Sequence, residues 1–545
     1  MSSVLETCRP RQELIDGTFN PEIFTAALGP IIKHYRAEPS AIDQIYTNAE
    51  AFFTQATYPT QGLINTVTNV FRRIGGDATA PAIQRLETSF GGGKTHTLIA
   101  CTHLAYRGRS ISGSVQSIID ERYLPDEGSV SVVGIAGDEI AVTRVQGETL
   151  IPHTLWGEIA WQIGGEALYR SVRTEAESHA APGKQYLEKI LGGRKVLLML
   201  DELAQYAARL EVAQQHGAEQ LSAFLMSLNG FARERTGLAI LVTLAGSTDA
   251  FSRQTNQLTN LLNQLTTDSL SEDDASAIGE RAVRGISSVI SRDATVETPV
   301  QATEIASVLS KRLFVSIDSS AAASIAESYM NMYRMNSSLL PEDAIQENYR
   351  SRMIANYPFH PSLVDFLNQK LSIAENFQGT RGVLRVLAMT VRQIWRRQKS
   401  LTMIHASHMD LRDGAIVNEL LGRTGSAELL NVLNADVGGI NTSMQVGSLV
   451  LAVYAVKVST DPTEPDQIAT LDARKEAILR NIFWQTVLID QETHEKTTTD
   501  SGGIENITRY LKIKIELLSA DQLMNTMTLN KEQRDVVYGL LESIG

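Results

Sequence analysis

Residues 86–100 read LETSFGGGKTHTLIA, and the reading of this stretch decides the fold. Gly91, Gly92 and Gly93 precede Lys94, Thr95 and an apolar run. Glycine reaches backbone conformations closed to other residues, so a run of them lets successive N–H groups close around a phosphate. A lysine then reaches the terminal phosphate oxygens, and the hydroxyl after it can hold Mg²⁺. A helix starting there turns its positive end toward the anion. The usual loop has another glycine five positions before the last one, where this chain has Thr88. The stretch is therefore either a phosphate loop turned by its later glycines or a glycine-rich turn that precedes a lysine. The residues before it, AIQRLET, are more polar than a central parallel strand is expected to be.

A second stretch bears on the choice. Residues 192–206 read GGRKVLLMLDELAQY. The apolar run Val196–Leu200, bounded by glycines and by acids, predicts a buried parallel strand, with Asp201 and Glu202 at its carboxyl tip. Ligands of open α/β sheets bind at such tips. Asp201 is placed to order Mg²⁺ through water, and Glu202 to orient and deprotonate an attacking water. Together with Lys94 and Thr95 this pair selects the phosphate-site reading. The adjacent glutamate favours an ATPase over a GTPase of the Ras type, which positions water with a glutamine, and no NKxD stretch appears. The expected ligands are ATP and Mg²⁺. The expected nucleotide contacts are Phe90, Gly91, Gly92, Gly93, Lys94, Thr95 and His96, with Thr95 and Asp201 at the metal. His96 receives no chemical role, because a histidine in a first helical turn is more often held by a structural partner.

The segments SVSVVGIAG (129–137) and GLAILVTLAG (237–246) predict two further strands, and THTLIACTHLAYRG predicts a helix ending around Gly108. Thr243, near the end of the second strand, could sense a terminal phosphate, hold the lytic water, or simply be a β-branched strand residue. TLWGEIAWQIGGEAL predicts a helix between the two motifs.

The bulk properties agree with a soluble cytoplasmic protein of three or four domains. The chain has 545 residues, 43% of them apolar, and a net charge of −13. No apolar run approaches the ~18 residues of a membrane span, and the first residues, MSSVLETCRPRQE, have no secretory pattern. Cys8 and Cys101 are the only cysteines, which excludes a disulfide framework or a cysteine zinc site. The negative charge argues against general coating of nucleic acid. The densest basic stretch, VRQIWRRQKS, reads as a solvated helix face.

Seven stretches occur in order: CRPRQELIDGTFNPEIF, FFTQATYPTQGL, LETSFGGGKTHTLIA, TLWGEIAWQIGG, LMLDELAQY, YPFHPSLVDFL and FQGTRGVLRVLA. Together they resemble a family of large bacterial and archaeal AAA+-type P-loop ATPases catalogued as a domain of unknown function, over roughly residues 8 to 400. Members of that family carry a non-glycine at the Thr88 position and often lie beside DNA methyltransferases and helicases in loci resembling phage defence. The resemblance implies an antiviral or restriction-like complex, either a homo-oligomer or an assembly with other proteins of the locus, with nucleic acid contacted directly or through them and no membrane. It also implies a helical lid whose arginine reports on the γ-phosphate. Arg381 fits that role, with Arg385 as the fallback. An arginine finger from a neighbouring subunit corresponds to Arg292, with Arg281 and Arg284 as rivals.

The implied fold is α/β, a P-loop NTPase core of the ASCE/AAA+ kind. Residues 1–80 are expected to form a helical N-terminal segment, 81–300 the ATPase core, 301–403 a helical lid and 404–545 a winged-helix-like region. NPEIFTAALGPIIKHY has helical spacing with Asn20 as cap; YPFHP reads as a turn with aromatic anchors, and DPTEPDQ as a linker. Relatives are commonly longer, and the ending LLESIG suggests a shortened or split version. Two functions follow: a motor or remodeller driven by ATP hydrolysis, or a slowly hydrolysing, nucleotide-gated scaffold that recruits an effector. An inactive fragment is the third, plainest reading.

Overall fold

The computed structural model describes residues 2–18, 27–39, 42–87, 93–143, 150–243, 284–335, 342–365, 367, 380–398, 400–405, 408–409 and 413–422. Seven strands occur among them: β1 (Cys8–Pro10), β2 (Ile83–Leu86), β3 (Ser131–Ala136), β4 (Val196–Asp201), β5 (Leu238–Thr243), β6 (Thr295–Glu297) and β7 (Phe314–Ile317). Every residue of β4 and β5 is buried, as unbroken apolar runs require when both faces of a sheet are covered. Side chains alternate between the faces. Leu198, Leu200, Ile240 and Val242 enter one apolar cluster, and Leu197, Met199, Ala239 and Leu241 enter the other.

The helices Leu155–Ser171, Lys184–Leu191, Leu203–Ala213 and Gly217–Glu234 complete the first cluster. Leu28–Tyr35, Gln61–Ile74 and Lys94–Arg107 complete the second. Each aliphatic side chain buried in this way contributes about 1.5–3 kcal/mol, so the central strands are held in register from both sides.

Five strands form one parallel sheet in the order β3-β4-β5-β2-β6. The chain leaves β2 for the far edge, returns strand by strand until β5 lies beside β2, and then crosses to β6 on the other side. Such a reversal opens a crevice at the carboxyl ends of the strands. The polarity of β2 has a local explanation. The Gln84 amide donates to the Thr66 carbonyl at 3.3 Å, and Arg85 pairs with Glu87 and bonds to Ser291. At the outer edge, Gln162 bonds both backbone groups of Gly134, accepting from its N–H at 3.0 Å and donating to its carbonyl at 3.1 Å. That side chain occupies the unpaired edge of β3 where another strand could otherwise add.

The chain divides into two units: Thr25–Ile305, which holds the parallel sheet, and a second that joins the described residues of Met1–Phe24 to those from Ala306 onward. In the second unit β1 pairs antiparallel with β7. The Arg11 guanidinium donates to the carbonyls of Lys311 and Arg312 at 3.1 and 2.8 Å, satisfying groups at the end of the Ile305–Leu313 helix. These two short strands lie within the segments expected to be helical, 1–80 and 301–403, and add to the helices there. They are only three and four residues long and show no periodicity; each is specified by a partner some 300 positions away.

Helices Ser319–Met335, Glu347–Asn356 and Thr380–Arg396 make up most of the remainder. The YPFHP turn is anchored by buried Tyr357 and Phe359, and Phe359 bridges to Ile404. The Asn20 cap, the DPTEPDQ linker and nearly all of the winged-helix-like region lie outside the described residues. Among the described residues no helix is long and apolar enough to cross a membrane.

Among the buried histidines, His103 of the sheet-bearing unit and His360 of the second unit are fully enclosed. His103 bonds through Nδ1 to the Tyr35 hydroxyl at 2.7 Å. His360 bonds to the Tyr333 hydroxyl at 3.0 Å and to Ser362 at 2.8 Å. Burial pushes both imidazoles down to about 3, against about 6.5 in the unfolded chain. Between those values the unfolded state binds more protons, so the stability that the neutral rings contribute is complete above about pH 6.5 and declines as pH falls toward 3. The unfolding temperature of both units should therefore drop between pH 7 and 5, a range above ordinary carboxylate titration. A flat profile across that range in calorimetry would show that the rings are not held neutral.

Candidate functional site

The register places the ends of four strands side by side. Leu86 of β2 pairs with Thr243 of β5, Leu200 of β4 with Val242, and Ala136 of β3 with Asp201. Asp201 and Thr243 are thus neighbours at the carboxyl edge, and the chain leaving β2 toward the glycines emerges at the same level.

Thr88, Phe90, Gly91 and Gly92 lie outside the described residues. Gly93 is described. It has φ of +95° and caps the Lys94–Arg107 helix, a backbone region that disfavours any residue with a Cβ. A Cβ there would lie 2.8 Å from a Val300 methyl and 3.1 Å from Pro299, so space and conformation both require glycine. The helix that follows begins beside the tip of β4, where its Thr95 reaches Asp201.

Thr95 and Asp201 meet. The Thr95 hydroxyl donates to Asp201 Oδ2 at 3.2 Å. Thr243 makes two bonds from its one hydroxyl, donating to Asp201 Oδ1 and accepting from the Glu202 N–H at 3.0 Å. Burial pushes the Asp201 carboxyl up, against the pull of the Thr243 and Thr95 hydroxyls and the Lys94 charge. The donor set is made of oxygens, as a hard cation such as Mg²⁺ prefers, and a cation there would restore the charged form of the carboxylate. The residues present fit that ion.

Glu202 stands in the left-handed region, with φ of +52° and ψ of +37°. Non-glycine residues there cost about 1–3 kcal/mol and cluster at functional sites. The turn leaves its side chain exposed, where Oε2 accepts from the Gln205 amide at 2.8 Å. The Thr243 bond to its N–H is one of the contacts that hold this turn. Thr243 thus acts on the acidic turn itself, a role its position in the sequence did not suggest.

His96 contacts the segment before β2. Its ring lies on Phe52 with centroids 4.4 Å apart and bonds through Nε2 to the Thr57 hydroxyl at 3.0 Å. Arg292 is exposed, three positions before β6 begins. Because β6 runs parallel to β2, Arg292 sits at the amino edge of the sheet, opposite the carboxyl edge that holds Asp201 and Thr243. Arg284 is also exposed, and Arg281 lies outside the described residues. Arg381 is the second residue of the Thr380–Arg396 helix, in the second unit. Arg385 on that helix pairs with Glu419, its Nη2 2.6 Å from the carboxylate, both side chains being nearly buried.

Several contacts carry no mark in the sequence. Gln205, Pro299 and Val300 belong to stretches of ordinary composition, and only folding brings the last two against Gly93. Arg209, on the helix after Glu202, donates to two carbonyls beyond β3, and no local spacing announces it.

Residues 9–266 match the model of the DUF499 N-terminal domain, and residues 300–504 that of the DUF499 second domain. None of the curated proteins compared with the chain matches it.

Replacing Thr243 tests this network without reference to any ligand. Thr243→Val leaves the Glu202 N–H and a buried Asp201 oxygen each short of a partner, which should cost about 1–3 kcal/mol in urea unfolding. Thr243→Ser keeps the hydroxyl and should cost about 0.8 kcal/mol, the value of one methyl group. Equal losses in the two variants would mean that the hydroxyl bonds contribute nothing.

Proposed function

The chain belongs to the DUF499 family, and on that premise we propose that it is an AAA+-type P-loop ATPase, which converts ATP and water to ADP and phosphate. One observation carries the reading: the Thr95 hydroxyl, the Asp201 carboxylate and the Thr243 hydroxyl are joined at the carboxyl tips of parallel strands, beside a glycine that only glycine can replace. The strand order adds support. β5 lies between β2 and β4, and a glutamate follows the acidic tip; an additional strand and a catalytic glutamate are the two features for which the ASCE class is named.

In this reading the N–H groups from Gly93 onward and the Lys94 ammonium hold the β- and γ-phosphates. Thr95 and Asp201 hold Mg²⁺, which when bound supplies the positive charge that offsets negative charge on the phosphates. Glu202 orients a water in line with the γ-phosphate and takes its proton. Thr243 keeps Asp201 and the Glu202 backbone in place while this happens. Phosphoryl transfer depends on such positioning and electrostatics rather than on covalent chemistry by the protein.

The position of Arg292 suits action on a neighbouring copy's nucleotide, as a ring or filament of subunits would use it, and Arg381 is the lid residue that the resemblance implies. The biological reading, a motor or remodeller in a nucleic-acid-related defence complex, rests on that resemblance. With a net charge of −13, contact with nucleic acid falls to a local groove or to partner proteins.

Glu202→Gln should bind ATP as tightly as the unchanged protein and lose about 10²–10⁴-fold in turnover, the usual contribution of a general base. Equilibrium nucleotide binding and steady-state phosphate release measure the two halves. Equal turnover would remove Glu202 from the mechanism, and absence of ATP binding by the unchanged protein would remove the ATPase reading itself.

A further inference from the structure

The geometry points to Arg209 as a positioning residue that fixes the conformation of Glu202 by clamping the turn after β3 against it. The inference rests on the ATPase reading for its consequence in turnover, and on contacts alone for its structural half.

Three sets of contacts converge. Residues Ala136–Glu139 form a tight turn closed by the Glu139 N–H donating to the Ala136 carbonyl at 3.0 Å. One guanidinium nitrogen of Arg209 donates to the carbonyls of both central residues, Gly137 at 3.0 Å and Asp138 at 2.8 Å. The turn in turn holds the acidic tip, because the Gly137 N–H donates to the Asp201 carbonyl at 2.8 Å. The fit is close enough that a Cβ on Gly137 would lie 2.3 Å from the Glu202 carbonyl oxygen and 2.9 Å from its carbon. Glu202 is therefore held through both of its peptides: the one before it by the Thr243 hydroxyl and the Gly137 N–H, the one after it by close packing on Gly137.

Glu202 needs this support. Its left-handed backbone is a strained conformation that persists only when surrounding contacts impose it, and a relaxed backbone would carry the carboxylate elsewhere. Arg209 lies seven positions further along the helix that Glu202 caps, so its clamp ties the two ends of that connection to the same turn. Its charge also lies near Asp138, which adds attraction to the two hydrogen bonds. Both bonds come from one nitrogen, so a lysine ammonium could replace them in part, without the fixed planar geometry that arginine presents.

Two measurements test the role. In hydrogen exchange, Arg209→Ala should speed exchange at the Gly137 and Glu202 amides about tenfold or more while the amides of β5 stay protected, which is local rather than global opening. Gly137→Ala should do the same through the opposite side of the contact. In turnover, Arg209→Ala should lower kcat about tenfold or more with ATP affinity changed less than about threefold, and Arg209→Lys should recover part of the loss. In a Glu202→Gln background Arg209→Ala should cause no further loss, since a residue that acts through another is not additive with it.

Unchanged exchange at both amides in Arg209→Ala overturns the inference whatever the enzyme does. Loss of ATP affinity in parallel with kcat, or full additivity with Glu202→Gln, overturns it as a positioning role. An unchanged protein that neither binds nor hydrolyses ATP defeats the proposed function instead, and the exchange result still decides whether Arg209 sets the Glu202 turn.

Discussion

Two-sided burial of the parallel strands is the constraint from which the rest follows. β4 and β5 have no exposed residue, and alternate side chains on each are committed to one apolar cluster or the other. A slip of one residue would exchange the two sets, so the register is fixed by the sum of many burials. That register puts Leu86, Thr243 and Asp201 at one level. The bonds of Thr243 to Asp201 and to the Glu202 N–H are consequences of that alignment.

Polar groups at the site are few and shared. One hydroxyl, on Thr243, serves both the Asp201 carboxylate and the Glu202 N–H, and Asp201 also accepts from Thr95. Burial opposes the charge on Asp201, which is the arrangement expected where a bound cation completes the electrostatics. Strain is present as well. Gly93 and Glu202 both occupy the left-handed region; glycine bears this without cost, and for glutamate the surrounding contacts impose it. The glycine marks where the chain packs closely on Pro299 and Val300, and the glutamate marks where the turn after β4 is held by its neighbours.

The second unit shows how a chain can be organised against its own order. β1 lies near the N-terminus yet pairs with β7, so residues on both sides of the sheet-bearing unit fold together. A three-residue strand has no hydrophobic period, and its identity depends on hydrogen-bond partners supplied from far along the sequence. The same limit applies to Arg209, whose partners Gly137 and Asp138 lie some 70 positions upstream.

The sequence by itself determined the central strands, the helix after the glycines and the chemical types gathered at the site. Those depend on local properties: an apolar run of strand length in Val196–Leu200, three glycines before Lys94, and a carboxylate pair at a strand end. The polar β2 was legible only as an anomaly, because the bonds that settle Gln84 and Arg85 come from Thr66, Glu87 and Ser291. Tertiary structure alone decided that β5 would lie between β2 and β4, that the Thr243 hydroxyl would bridge two acidic residues, and that His96 would turn toward Phe52 and Thr57. The reason is the same in each case: strand order, backbone strain and shared hydrogen bonds are relations between distant segments, and they exist only once burial has brought those segments together.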